Sequence, residues 1–210
     1  MLIKYENIIK KYNLNISNIL HIGAHKAEEH DTYILNGAKK IIWIEANEKL
    51  AKELKLKLDP NINTVIESVI SDKDGKSVTF TITNNGESSS ILELGLHKQL
   101  FPAITPTEQI IKKTKRIDTI FEENQIDFSL IEFINIDIQG AELLALKGIE
   151  DFTNIKGIYT EVNTDYVYKN CALIGEIDDY LKTFNFERVE TQMWHNHPWG
   201  DALYLRKELV

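Results

Sequence analysis

The stretch Phe133-Ile134-Asn135-Ile136-Asp137-Ile138-Gln139-Gly140-Ala141-Glu142 reads as a short, largely apolar strand that runs into a turn and then a helix. Phe133 to Ile136 carries the β-forming residues. Asp137 ends the strand with a charge, and a carboxylate there must face a cleft or be paired, because burying it alone is costly. Gly140 opens the next element, and Glu142 falls in the first turn of the helix Ala141 to Leu146, where a negative charge suits the helix dipole. Glu142 therefore has a structural explanation. Asp137 has none, which marks it as a candidate functional group.

The same grammar extends outward in both directions. Toward the N-terminus, Ile19-Leu20-His21-Ile22 is a buried strand closed by Gly23, followed by a helix from Ala27 to Leu35 that Asn36-Gly37 ends. Ile41 to Ile44 is a second strand with Glu45 at its C-terminal end. Residues 47–58 form a helix with an Asn47 cap, and Thr64 to Ile66 a third strand. Asp72 to Gly75 signals a turn before the alternating strand Ser77 to Ile82, whereas 83–114, rich in Asn, Ser, Gly and Pro, is expected to be loops with short local structure. Toward the C-terminus come a strand over Ile155 to Val162, an amphipathic helix over 173–184, and strands at Phe186 to Val189 and Ala202 to Leu205. Alternating strands and helices predict an α/β fold with a mostly parallel sheet and helices on both faces. Two final strands with no helix between them predict a C-terminal antiparallel hairpin. Residues 1–16 are expected to add a helical N-terminal appendage to a single domain spanning 1–210.

Composition narrows the classes of function. With 210 residues, 43% hydrophobic and 27% charged, the chain has an ordinary globular make-up. A net charge of −8 argues against a general nucleic-acid surface, which needs clustered Lys and Arg. The single Cys171 allows no internal disulfide and is expected to be a packed thiol in a reducing, cytoplasmic setting. No apolar run approaches the roughly 20 residues of a bilayer span.

In open α/β sheets ligands bind beyond the carboxyl ends of the strands, near the topological switch point. This singles out Gly23, Ala24 and His25 after the first strand, and Glu45 and Ala46 after the second. Glu45 lies about 20 residues beyond the glycine turn, where a carboxylate accepts from ribose hydroxyls. Ser68 and Val69, past the third strand, would flank an adenine. The full G-x-G-x-x-G fingerprint is absent, which disfavours a nicotinamide or flavin. Asp137, Glu161 and Asn163 together could offer oxygen ligands to Mg²⁺, or could instead bond the substrate and cofactor. In the hairpin loop Met193 to Asp201, His195 and His197 are candidate general bases, with a surface turn as the plainer alternative. His21 is expected in the core and His25 at ligand. His30 and His97 give no signal.

Taken in order, these residues resemble the FkbM-type methyltransferase family. The matching stretches are Ile19 to Ala24, Ile44-Glu45-Ala46, Ser88-Ser89-Ser90, Arg116-Ile117-Asp118, Asp137 to Glu142 with Lys147-Gly148, and Trp199 to Tyr204. The resemblance implies a Rossmann-like class I methyltransferase fold with a seven-stranded sheet. It also implies S-adenosylmethionine as cofactor and O-methylation of sugar hydroxyls or polyketide-type products. Gly23, Glu45 and Asp137 fall where the family contacts the cofactor. Two positions depart from it: Gln139 stands where the family usually has Glu, and the first turn keeps a single glycine.

The expected reaction is attack of a sugar or small-metabolite hydroxyl on the methyl carbon, with Asp137, His195 or His197 as base. The alternatives are a cofactor-binding subunit without catalysis, which needs Gly23 and Glu45 but no base, and a nicotinamide enzyme on a similar sheet.

Overall fold

Side-chain alternation along the central strands divides the molecule into two apolar layers around one sheet, as a computed structural model describing residues 1–210 makes visible. In chain order the elements begin with α1 (Tyr5–Lys11), β1 (Asn18–Ile22), α2 (His30–Leu35), β2 (Lys40–Glu45), α3 (Glu48–Lys57) and β3 (Asn63–Glu67). They continue with β4 (Val69–Ile70), β5 (Ser77–Thr83), α4 (His97–Leu100), β6 (Pro106–Lys115) and α5 (Ile117–Glu123). The C-terminal third holds β7 (Phe133–Ile136), α6 (Glu142–Leu146), β8 (Gly157–Asn163), α7 (Ile174–Lys182), β9 (Phe186–Met193) and β10 (Trp199–Arg206).

Seven strands form the main sheet in the order β3-β2-β1-β7-β8-β10-β9. The first five pair in parallel, while β10 pairs antiparallel with both β8 and β9. This is the seven-stranded class I methyltransferase arrangement that the resemblance implied, including its terminal hairpin. The order reverses between β1 and β7, so the switch point lies at their C-terminal ends.

Leu20, Ile22, Ile42, Ile44, Ile134 and Ile136 project to one side, where they pack with Ile117 and Phe121 of α5, Leu146 of α6 and Leu181 of α7. Ile19, Ile41, Trp43 and Phe133 project to the other, against Tyr5 and Ile8 of α1, Tyr33 of α2 and Leu54 of α3. The period-2 alternation of a strand produces this two-faced core from a continuous apolar run. The N-terminal helix is part of it: Tyr5 and Ile8 are buried, and the Tyr5 ring packs edge-on against Tyr33 and Phe133.

Two local expectations change. The helix after Gly23 starts only at His30, because His25 (φ 44°) and Ala27 (φ 55°) sit in the left-handed region and break any earlier turn. The segment 83–114 is not all loop. It contains all but the last residue of the ten-residue β6, which lies antiparallel along β5 and parallel to β4 as a second, three-stranded sheet. Most of β6 is solvent-exposed, so it carries no apolar alternation for a reader to recognise. The short helix α4 and the helix α5 were likewise not anticipated.

Candidate active site

The end of β1 fixes the centre of the site. Gly23 (φ 91°) donates its N–H to the carbonyl of Ile44 at 2.9 Å, and Asp137 N donates to the carbonyl of Ile22 at 2.9 Å. A Cβ on Gly23 would lie 1.8 Å from the Asp137 carbonyl oxygen. The glycine is therefore required first by the close approach of the β1 and β7 ends, and only then by any ligand.

Two hollows adjoin there. The first, about 590 Å³ with its open mouth, is lined by Gly23, His25, Glu45, Ala46, Ser68, Val69 and Asp137. These are the residues that the strand-end argument selected. Of the expected cofactor contacts only Ala24 is missing from this lining; it borders the other hollow, which Gly23, His25 and Asp137 share. Leu50, Val69, Ile70, Phe80 and Ile91 give the first hollow an apolar slab, and Gly86, Glu87, Ser89 and Ser90 cover it from the inserted segment. Glu45 is 7% exposed. Its carboxylate accepts from His25 N at 2.8 Å and Asn47 N at 2.7 Å. Burial raises its pKa, and those N–H groups oppose the shift.

The second hollow opens on the other side of Asp137, with Glu161, His97, Phe101, Tyr168, Trp194 and Trp199 among its walls. No Lys or Arg lines either hollow, whereas Glu28, Glu29, Glu45, Glu87, Asp137 and Glu161 do. The field across the site is acidic.

Gln139 ties the floor together. Its Nε2 donates to Asp137 Oδ1 at 2.6 Å and to Glu161 Oε2 at 2.9 Å. The Tyr168 hydroxyl donates to Gln139 Oε1 at 2.5 Å, and Ser90 Oγ donates to the Gln139 carbonyl at 2.8 Å. Gln139 holds φ at 58° to do so. Below this, Glu142 is 1% exposed and its Oε1 accepts from Ile138 N at 3.1 Å and Gly140 N at 2.9 Å. It pins the turn that carries Gln139, a stronger structural role than dipole compensation.

The carboxyl groups shift accordingly. Removal from water pushes Glu142 up to about 7 and Glu161 well above the usual range, with the Asp137 charge adding to both. The side chain of Asp137 is open to the cleft, but the surrounding protein still raises its pKa, against the pull of the Gln139 amide and with help from Asp201.

A model of the family described as Methyltransferase FkbM domain matches residues 21–188. The chain belongs to the FkbM methyltransferase family. No curated protein matches it. Solved structures of similar fold include TrmK of M. capricolum in complex with S-adenosyl-homocysteine, at 12% identity and TM-score 0.49, over 99% of this chain and 70% of that one. A SAM dependent methyltransferase from Aquifex aeolicus aligns at 11% identity and TM-score 0.47, over 96% and 88% of the two chains. The ribosomal protein L11 methylase of Lactobacillus delbrueckii subsp. bulgaricus aligns at 9% and 0.48, over 95% and 74%.

Within this FkbM methyltransferase domain several expected residues stand apart from the cleft. Neither His195 nor His197 lines it. His195 is exposed at the β9–β10 turn (φ 47°) with its ring against Trp194, and the His197 ring packs behind Phe101, 5.2 Å between centroids. The hairpin presents Trp194 and Trp199 to the cleft instead. Asn163 is wholly enclosed, its amide makes no hydrogen bond, and it lines neither hollow. No group of three or more His, Cys, Asp or Glu side chains is arranged to hold a metal ion. His21 is in the core, as expected: its Nδ1 pairs with the Tyr33 hydroxyl at 3.1 Å, and burial lowers its pKa to about 4. Cys171 is a buried thiol.

The site also contains residues the sequence reading did not select. Tyr168, Phe80, Glu87, His97 and the two tryptophans reach it by tertiary packing. Phe80 had a readable signal as an apolar position in the alternating strand β5. Tyr168 lies in an irregular segment and His97 opens the short helix α4, and neither had one.

Proposed function

We propose that this methyltransferase domain binds S-adenosylmethionine in the first hollow and methylates a hydroxyl of a sugar or small metabolite held in the second. The single observation behind this reading is that the two hollows meet at Asp137, on the carboxyl edge of the switch-point strands. When bound, the cofactor supplies a methyl group already activated by a positive sulfonium.

The residues present suit it. Glu45 keeps lone pairs free for two ribose hydroxyls, since each carboxylate offers about four acceptor sites. Val69, Leu50, Phe80 and Ile91 form a slab for the purine, with Ser68 at its edge. An acidic site without Lys or Arg favours a cationic cofactor and disfavours a phosphorylated or polynucleotide acceptor.

Asp137 is the base in this scheme. It faces the cleft from the junction of the hollows and takes the proton from the acceptor hydroxyl as the oxygen–carbon bond forms. Trp194, Trp199 and Phe101 give a sugar ring flat apolar surfaces, and Glu161 offers an acceptor for its hydroxyls. Holding acceptor and methyl donor in line can supply about 7–11 kcal/mol of the barrier, and a positioned base about 10²–10⁴-fold.

Two experiments test the proposal. Calorimetric titration should show binding of S-adenosylhomocysteine and none of NAD; the reverse result sinks the cofactor assignment. Incubation with methyl-labelled S-adenosylmethionine and a panel of glycans, small alcohols, amines and RNA should label a hydroxylated small acceptor. Label appearing only in amines or RNA would overturn the acceptor class.

A further inference from the structure

The Gln139 side chain occupies the place between Asp137 and Glu161 where a cation shared by these carboxylates would have to sit. Its amide nitrogen has two N–H donors, and they are spent on the two carboxylates at 2.6 and 2.9 Å. An amide nitrogen does not ligate Mg²⁺ or Mn²⁺, which take oxygen at about 2.0–2.1 Å with near-octahedral demands. Turning the amide over would forfeit both carboxylate contacts and set its oxygen against them, and would break the Tyr168 hydroxyl's donation to Oε1 at 2.5 Å. Tyr168 is itself buried, and burial raises its pKa well above the ordinary value, so it remains a donor. The backbone of Gln139 is fixed too, by Ser90 Oγ on its carbonyl and by the Glu142-pinned turn. Asn163, the third oxygen ligand the sequence suggested, does not reach the hollow.

We propose that Gln139 is a positioning residue that takes the place of a divalent cation: its Tyr168-oriented amide holds Asp137 and Glu161 in the cleft, so that this domain works without a metal there. The electrostatic reason is that two neighbouring carboxylates repel, and a bridging donor relieves the repulsion without adding net charge. Gln139→Glu would remove the donor and leave three carboxylates around one point, a set of hard oxygen ligands of the kind Mn²⁺ takes.

The test reads metal binding directly, and so stands apart from the methyl-transfer reading. Mn²⁺ is titrated into the full-length protein and followed by electron paramagnetic resonance and calorimetry, in the wild type, Glu161→Gln, Q139E, and Q139E with Glu161→Gln. The wild type should leave Mn²⁺ free. Q139E should bind roughly one ion per chain, and the added Glu161→Gln should weaken that binding by about tenfold or more, in line with loss of a ligand or its support. Binding by the wild type that Glu161→Gln abolishes would overturn the proposal, as would a folded Q139E, checked by circular dichroism, that binds none. Should Q139E fail to fold, the wild-type titration still decides, with Tyr168→Phe as a second arm. Freeing the amide to turn its oxygen toward the carboxylates should then allow weak Mn²⁺ binding that the wild type lacks, and no gain over the wild type would count against the role given to Tyr168. If a labelled acceptor has been found, wild-type transfer should be unchanged by EDTA, and Q139E should lose on the order of 10²-fold and regain part of it with Mn²⁺.

Discussion

At the scale of single residues, Asp137 and Gly23 do different work although they touch. Asp137 faces the cleft and has little to do with the packing of β7. Asp137→Asn is therefore expected to keep the melting temperature within a few degrees of wild type and to lower kcat by about 10²–10⁴-fold. Turnover close to wild type would show that the base is elsewhere. The raised pKa of Asp137, to about 6, gives the sign of the pH profile. The base is active when deprotonated, so kcat/KM should rise from pH 5 to 7 and level off above, and Asp137→Asn should remove that limb. Gly23→Ala behaves in the opposite way. Its methyl would meet the Asp137 carbonyl at 1.8 Å in a left-handed conformation, so we expect a loss of about 3 kcal/mol or more in denaturant unfolding. A stable Gly23→Ala protein with impaired cofactor binding alone would show that close ligand approach, and not strand packing, demands the glycine.

At the scale of elements, the inserted sheet closes the first hollow. β5 supplies Phe80, the loop after it supplies Gly86 to Ile91, and β6 ties both to the main sheet. Beside the pairing of β6 with β4, one side-chain tie is Lys112, whose Nζ donates to the Ala46 carbonyl and to Glu67 Oε1, each at 2.7 Å, at the ends of β2 and β3. Lys112→Met should loosen this clamp without opening the core. The expected result is a rise of about fivefold in the Kd for S-adenosylhomocysteine, equivalent to ~1 kcal/mol, with a nearly unchanged melting temperature. An unchanged Kd would mean that the insertion seats itself independently. This element also marks where sequence reading stopped. The strands of the main sheet were legible because burial on both faces makes them continuous apolar runs, as at Ile41 to Ile44. β6 was not, because its residues 106–109 are exposed and its identity comes from hydrogen bonds to β5, not from a pattern of its own.

At the scale of the whole molecule, the acidic site has a thermodynamic consequence. Glu142 is held at about 7 and Glu161 well above the usual carboxylate range, so above about pH 4.5 these two groups keep protons in the folded chain that they lose in the unfolded chain, while His21, lowered to about 4, opposes them below pH 6.5. A carboxyl raised on folding contributes stability that is complete below its unfolded pKa and is lost as pH rises through its folded pKa. The melting temperature should therefore fall as pH is raised from about 5 to 8. Glu142→Gln, which keeps a carbonyl oxygen for the Ile138 and Gly140 N–H groups, should flatten that slope, while Glu142→Ala should cost about 1–3 kcal/mol by orphaning both donors. A melting temperature that climbs over this range would contradict the placement of these groups.

The sequence by itself determined the layer order, the parallel sheet with its antiparallel end, the family, and the strand-end positions from Gly23 to Asp137. The family rests on the resemblance of the ordered motifs, and the rest follow from local periodicity and from the rule that ligands sit at carboxyl edges. Only the tertiary structure decided which groups share the cleft. It put Tyr168 and Ser90 on Gln139, brought Trp194 and Trp199 in where His195 and His197 were expected, and enclosed Asn163. The physical reason is that side chains on loops are placed by packing and hydrogen bonds from distant segments, as with Gln139 and Tyr168, 29 positions apart, and no local pattern encodes such contacts.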